Sequence, residues 1–287
     1  MKPAYLTKER LVHFIKNAIN EDVGKGDFSS LGSIPEGAKQ KAHLLIKADG
    51  IIAGLQMSKY IFSFISKEVK IKYHKKDGDK IEAGEIGFVI EGPAREILKG
   101  ERLALNCLQR MSGIATYTAK INSLIKGTGV KLLDTRKTTP NFRIAEKWAV
   151  NIGGGVNHRF GLDDMIMLKD NHIDYAGGVT TAINSTQKYL AENQLSIDIE
   201  IEVRNLSELA EVLNVGGVKR VMLDNMLPSE MREAVNMISG QFEIEASGGI
   251  TEKNIREIAE SGIDYISVGA LTHSYNSLDM SLKAIKS

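Results

Sequence analysis

Glu202, Asp224, Ala246 and Val268 stand 22 residues apart, each at or beside the end of a short β-branched run. That interval is close to the shortest that holds a strand, a turn, a helix and a second turn. The spacing therefore confines this part of the chain to parallel β/α units. Six runs carry the rhythm: VKLLD (130–134), MIMLK (165–169), IDIEIEV (197–203), KRVMLD (219–224), FEIEAS (242–247) and DYISVG (264–269). Two of the stretches between them, NLSELAEVLNVGG and TEKNIREIAESG, open on a capping residue, Asn205 or Thr251, and close on glycine, which is how helices start and stop. Six strands leave two architectures open, a barrel of fewer than eight strands and an open doubly wound sheet.

Residues 1–112 lack this rhythm and read as a separate α+β domain, with the α/β part at 113–270 and a C-terminal segment, 271–287, expected to pack on the N-terminal domain. AKQKAHLLIKADGIIAGL suggests paired strands, and YHKKDGDKIEAGEIGFVIEG suggests hairpins turning at Asp77-Gly78 and between Glu82 and Glu85. GERLALNCLQRMSGIATYTAKINSLI predicts one long helix, with Leu108, Met111, Ala115 and Ile125 on one face and Thr118 and Ile121 between them. The opening MKPAYLTKERLVHFIKNAINEDV is interrupted by Lys8, Glu9, Arg10 and Lys16, so it predicts an amphipathic helix and not a secretion signal.

Charge narrows the function. The formal net charge is +1, which provides no global field to draw the protein to nucleic acid or to a membrane surface. No apolar run approaches membrane-spanning length. The single cysteine, Cys107, rules out an intrachain disulfide framework and suits a cytoplasmic setting. Any positive site must therefore be a local arrangement, and the segment from Asp134 to His172 has one.

Ligands of barrels and open α/β sheets bind at the carboxyl ends of the strands. Here those ends carry Asp134 with Arg136 and Lys137, then Lys169, Glu202, Asp224, Ser247-Gly248-Gly249 and Gly269. Glycine loops followed by helix N-termini let backbone N–H groups approach phosphate, so ASGGI and SVGA predict a phosphate site. Glu202 and Asp224 end successive strands and suggest Mg²⁺ held together with water and substrate phosphate; pairing with a nearby lysine or arginine is the plainer alternative. Thr138 or Thr139 can cap a helix beginning at Pro140, which Gly153–Gly155 would stop. Arg136, His158, Arg159 and Lys169 can converge on one pocket, a set that suits a small ligand with more than one carboxylate. A lysine in such surroundings is also compatible with Schiff-base chemistry at Lys169.

The same residues resemble the quinolinate phosphoribosyltransferases, the carboxylating nicotinate-nucleotide pyrophosphorylases. The matching pieces run through nearly the whole chain: NEDVGKGD (20–27), GERLALNCLQRMSGIAT (100–116), DTRKTTP (134–140), GGGVNHRFGLDDMIMLKDNHI (153–173), IEIEV (199–203), VMLDN (221–225), EASGGI (245–250) and SVGALTHS (267–274). Asn141-Phe142 departs from the Gly-Leu usual in the family, and Val156 lies at a variable position. A related family linked to molybdenum transport typically lacks the asparagine and lysine that stand here as Asn157 and Lys169.

The resemblance implies a mixed α+β N-terminal domain and an incomplete, six- or seven-stranded α/β barrel. It also implies a homodimer, sometimes assembled further. It gives Arg136, His158, Arg159 and Lys169 to the two carboxylates of quinolinate, with Arg102 joining from the neighbouring subunit. Lys137, Glu202 and Asp224 would bind phosphoribosyl pyrophosphate and its Mg²⁺. Ser247, Gly248, Gly249, Gly269 and His273 would hold the 5′-phosphate. Of these, Lys137, Lys169, Glu202 and Asp224 are the expected catalytic groups.

Overall fold

The computed structural model describes residues 3–285. In chain order the elements begin α1 (Lys8–Val23), α2 (Phe28–Ser33), β1 (Lys39–Ile46), β2 (Gly50–Ile51), α3 (Leu55–Ile65), β3 (Lys70–Tyr73), β4 (Lys80–Ile81), β5 (Ile86–Pro93) and α4 (Ala94–Leu124). There follow β6 (Lys131–Leu133), α5 (Arg143–Ile152), β7 (Ile166–Leu168), α6 (Asp170–Ala176), α7 (Val179–Glu192), β8 (Ile199–Val203), α8 (Leu206–Val215) and β9 (Arg220–Asp224). The chain closes with α9 (Pro228–Ile238), β10 (Glu243–Ser247), α10 (Ile255–Ala259), β11 (Tyr265–Ser267), α11 (Ala270–His273) and β12 (Met280–Ala284). Contacts divide the chain into two compact units. The first holds everything up to Ala119, Lys137–Gly154 and the chain from Ala270 on; the second holds Lys120–Arg136 and Gly155–Gly269.

The first unit is built on an antiparallel sheet in the order β12-β1-β5-β3, with β2 and β4 paired separately. Alternation in β1 turns Ala42, Leu44 and Ile46 inward, where they meet a core that includes Ile52, Phe62, Phe88 and Ile90. The expected turns are present, with Gly78 and Gly84 at φ +94° and +96°, but they do not make hairpins. β3 pairs with β5 and β4 pairs with β2, so each turn passes the chain from one sheet to the other. β1 and β2 likewise pair elsewhere and not with each other.

Helix α1 is the expected amphipathic one. Thr7 caps it by accepting from Arg10 N, and Leu11 and Ile15 are buried. Helix α3 has Gly54 at its N-cap, which offers no side chain. Asp77 supplies the missing acceptor from 22 residues further on, taking Leu55 N at 2.8 Å and Gln56 N at 3.1 Å. Burial of that carboxylate raises its pKa against those bonds.

The long helix starts at Ala94, six residues earlier than its opening Gly100 suggests, and ends at Leu124; Leu108, Met111 and Ala115 of its expected face are buried on it, while Ile125 is buried in the turn just beyond. Gly113 is required there, because a Cβ would run into the Asn276 carbonyl oxygen. Cys107 on this helix is fully buried and its thiol is pushed up to about 12 by desolvation. Native protein is therefore expected to show essentially no thiol reactive toward a disulfide reagent, and one per chain once denatured. Rapid labelling of native protein would mean that α4 opens locally.

The second unit is a parallel sheet of six strands in the order β6-β11-β10-β9-β8-β7. Consecutive strands are neighbours and the last, β11, returns to the first, β6. Of the two architectures open from the sequence, this is the barrel, left unjoined between β6 and β7. The segment after Gly155 lines the free edge of β6, with Leu133 bridged to Val156 and Asp134 N donating to Val156 O. The chain between β6 and β7 runs through the first unit, where α5 makes its contacts. No helix among the described residues is long and apolar enough to cross a membrane.

Strand β8, Ile-Glu-Ile-Glu-Val, is buried at every position. Its alternation sends Ile199, Ile201 and Val203 to one face and Glu200 and Glu202 to the other. Register places Glu200 and Glu243 on either side of Arg220, and Glu245 beside Tyr265, so a charged layer occupies one face of the sheet.

Asn205 caps α8 as expected, accepting from Glu208 N at 3.0 Å. Thr251 does not cap its helix. Thr251 N instead donates to Asn254 Oδ1, and α10 starts only after Asn254. The helix expected from Pro140 begins at Arg143, because Asn141 takes φ +62° and breaks any helical run through it. Gly153 stops that helix as expected.

Candidate active site

Strand ends of the second unit bring most of the expected residues into two small groups. In the first, Asp134 is fully buried after β6 and acts as an organiser, taking Asn157 Nδ2 at 2.7 Å and His158 N at 2.8 Å. Arg159 donates from Nη1 to the Met165 carbonyl at 3.1 Å. Burial and the neighbouring Arg136 cation lower its pKa, which places two guanidinium groups close enough to repel. The charges of Glu200 and Asp164 offset that repulsion in part, and a bound anion would offset it further.

The second group joins β7 to β8. Lys169 Nζ lies 2.9 Å from Glu202 Oε2, and the Glu202 side chain is only 10% exposed. Pairing with lysine, the plainer alternative for Glu202, is thus present. His172, whose role the sequence leaves open, accepts Lys169 N at 3.0 Å and so fixes the start of α6.

Beneath these groups His158 turns Nε2 toward Glu200 at 2.9 Å and Glu245 at 3.3 Å, reaching β8 and β10 across β9. Arg220 completes the set, at 3.2 Å from Glu245, 2.9 Å from Glu243 and 3.8 Å from Glu200, with its guanidinium 4.0 Å from the Tyr265 ring centroid. Burial disfavours a charge on His158, but the Glu200 and Glu245 carboxylates facing Nε2 outweigh it and lift the pKa to about 9. As arranged, Nδ1 accepts the Arg159 N–H at 2.7 Å, so Nε2 carries the ring proton. A second proton would have to enter at Nδ1 at the expense of that bond. Burial and the charge of Glu245 push Glu200 above the ordinary carboxylate range.

The ligating atoms of His158, Glu200 and Glu245 lie within 4.8 Å of one another, a spacing that a metal ion could use. Arg220 already supplies positive charge there.

The Gly248-Gly249 turn is shaped by asparagines. Gly248 and Gly249 have φ +87° and +60°, and a Cβ on Gly248 would collide with the Asn225 side chain. Asn225, itself at φ +54°, donates its backbone N–H to Ser247 O at 2.9 Å and its side-chain amide to Asp224 Oδ2 at 2.8 Å. Asn254 holds the other side, donating to Gly249 O at 3.1 Å. Glu202 and Asp224 therefore end the neighbouring strands β8 and β9 beside a preformed glycine turn. Both offer oxygen donors, the type that suits a hard cation such as Mg²⁺, and Asp224 is the one of the two without a lysine partner among the described ion pairs.

In the first unit Lys137 and His273 line a cavity of about 440 Å³ together with Arg110 and the hydroxyl residues Thr138, Thr139 and Ser277. Thr272 holds the loop by donating to the Lys137 carbonyl at 2.8 Å. Arg102 is exposed on α4 and does not line this cavity. Sequence reasoning passed over Asn225, Asn254 and the Glu200–Arg220–Glu245 set. The signal available for the charged set was charge on alternate positions of strands that are otherwise apolar.

Comparison with known proteins places the whole chain. Residues 26–112 match the N-terminal domain model of quinolinate phosphoribosyl transferase, and residues 114–283 match its C-terminal domain model. The chain is 43% identical to quinolinate phosphoribosyltransferase (decarboxylating) 1 of Nicotiana glauca, over 98% of this chain and 84% of that protein. It is 40% identical to the probable nicotinate-nucleotide pyrophosphorylase (carboxylating) of Bacillus subtilis, over 96% of this chain and 92% of that one. Among solved structures it resembles NadC from Streptococcus pyogenes, with TM-score 0.89 and 39% identity over 98% of this chain and 99% of that chain. With both domain models matched and 84% and 92% of the two relatives covered, the chain belongs to the quinolinate phosphoribosyltransferase family.

Proposed function

We infer that the protein transfers the phosphoribosyl group of phosphoribosyl pyrophosphate to quinolinate with loss of CO₂, giving nicotinate mononucleotide and pyrophosphate for NAD biosynthesis. The observation that carries this reading is the set of cations around β7: Arg159 before it, close enough to Arg136 after β6 for the two charges to repel, and Lys169 ending it. A dicarboxylate answers that arrangement. Arg136, Arg159, Lys169 and His158 hold the two carboxylates, with Arg102 contributed by a second copy of the chain in a homodimer. Ser247, Gly248, Gly249, Gly269 and His273 take the 5′-phosphate, which the positive φ of the glycine turn supports.

The pyridine nitrogen attacks C1 of the ribose, and the C1–oxygen bond breaks with its electron pair leaving on pyrophosphate. Lys137 faces the charge that develops on the leaving group. Glu202 and Asp224 favour the positive character of the ribose and would hold Mg²⁺, which when bound neutralises the pyrophosphate oxygens. The new bond makes the ring nitrogen positive. The bond from C2 to its carboxylate then breaks, the adjacent nitrogen stabilises the electron pair left on C2, and a proton from solvent replaces the CO₂. The protein's task is positioning and charge matching. The single, buried, unbridged cysteine suits a reducing compartment, and we place the enzyme in the cytoplasm.

Purified protein given quinolinate, phosphoribosyl pyrophosphate and Mg²⁺ is expected to form nicotinate mononucleotide and CO₂ in equal amounts, and to fail with nicotinate. Binding of phosphoribosyl pyrophosphate without product would retain the phosphate site and replace quinolinate by another heterocyclic acid.

A further inference from the structure

We propose that Arg110 is a further binding residue for phosphoribosyl pyrophosphate, contacting one of its phosphate groups alongside Lys137 and His273. The inference rests on the reaction inferred above, and its grounds lie within the first unit.

Arg110 is held as a presented guanidinium. Nη2 makes both of its protein hydrogen bonds, to Thr139 Oγ1 at 3.0 Å and to Glu146 Oε1 at 3.2 Å. Glu146 is fully buried and its other oxygen accepts Thr139 N at 2.9 Å, so the carboxylate anchors the arginine and the loop together. The rings of Phe142 and Tyr275 lie 5.1 and 5.6 Å from the guanidinium carbon and restrain its plane. Nε and Nη1 have no acceptor among the described residues, and the side chain is 38% exposed where it lines the cavity. This is the arrangement a bidentate phosphate contact needs: one edge fixed by protein, the other edge open.

The rest of the cavity agrees. Lys137, His273 and Arg110 are its charged or chargeable lining groups, set among threonine and serine hydroxyls, and no carboxylate lines it. The Tyr275 hydroxyl is withdrawn from solvent and finds no hydrogen-bond partner among the described residues, while burial lifts its pKa to about 12. It remains a donor at every working pH and can meet an anion. A volume of about 440 Å³ admits a diphosphate.

Arg110→Met and Arg110→Lys test this by calorimetric binding of inorganic pyrophosphate and by steady-state kinetics. Arg110→Met should weaken pyrophosphate binding and raise the KM for phosphoribosyl pyrophosphate about 10- to 100-fold, the effect of losing a charged hydrogen bond. The quinolinate KM should stay within about twofold, and Arg110→Lys should recover only part of the loss, because a point charge does not replace the fork. Unchanged pyrophosphate affinity in both variants overturns the proposal. Equal rises in both KM values, with Arg110→Lys restoring them fully, also overturn it, since a brace for the Thr139 loop would behave that way. Should Arg110→Met not fold, Arg110→Lys and Tyr275→Phe carry the same binding test, each with a smaller expected loss. Wild-type protein that binds pyrophosphate yet makes no nicotinate mononucleotide would sink the inferred reaction separately, leaving Arg110 to be judged by binding alone.

Discussion

Lys169→Ala should raise the quinolinate KM by about 100-fold, because a lost charge-assisted contact to a bound carboxylate costs about 2–3 kcal/mol. The same change strips Glu202, whose side chain is only 10% exposed, of its only described ion-pair partner, 2.9 Å away. A carboxylate left alone there repels a second carboxylate arriving in the pocket, so the two consequences add. The KM for phosphoribosyl pyrophosphate should move far less. Measuring both constants separates the roles. An unchanged quinolinate KM would show that Lys169 serves only to balance Glu202. A normal rate after Lys169→Ala would also end the Schiff-base reading, which needs this amine as nucleophile.

The second large effect is on stability. Glu245→Gln should lower the unfolding free energy by about 3 kcal/mol, since removing one partner of a buried ion pair strands the other. Arg220 would keep its charge and lose a fully buried carboxylate that it shares with His158. Urea denaturation with matched slopes is the measurement. A shift below about 0.5 kcal/mol, the range of ordinary surface changes, would mean that Glu200 takes over the whole charge. The double variant Glu245→Gln with Arg220→Met should cost less than the sum of the two single changes, because the arginine is then no longer stranded.

Much of the second unit can be read from residue order. Apolar runs at a fixed interval can only be parallel strands with crossovers, and the polar group ending each run marks the ligand side. Residue order does not tell barrel from open sheet, because the pairing of β6 with β11 joins segments more than 130 residues apart. The first unit was less legible. Its turns were marked by glycines at Gly78 and Gly84, but a turn does not say which strand its flanks will join, and here each flank pairs in a different sheet. The caps failed for a similar reason. Thr251 and Thr139 are good caps by type, yet Asn254 and the left-handed Asn141 decide where the helices start. Among the site residues, Lys169 and Glu202 were legible from their strand ends and do meet, whereas the buried partners of His158 were not. Glu200 sits within its strand in register with Arg220, Glu245 lies two residues beyond that register on β10, and only the pairing of β8, β9 and β10 brings them together.

The path of the chain has a consequence for inheritance. It leaves the first unit after Ala119, re-enters it for Lys137–Gly154, leaves again, and returns at Ala270 to add β12 beside β1. No single break in a gene can separate the two units. A recombinant that took its front half from one ancestor and its back half from another would receive a sheet from one and that sheet's edge strand from the other, with β1 then exposed as an unpaired edge wherever the two failed to match. Such a fold can diversify by substitution in place, but it is a poor donor of movable parts.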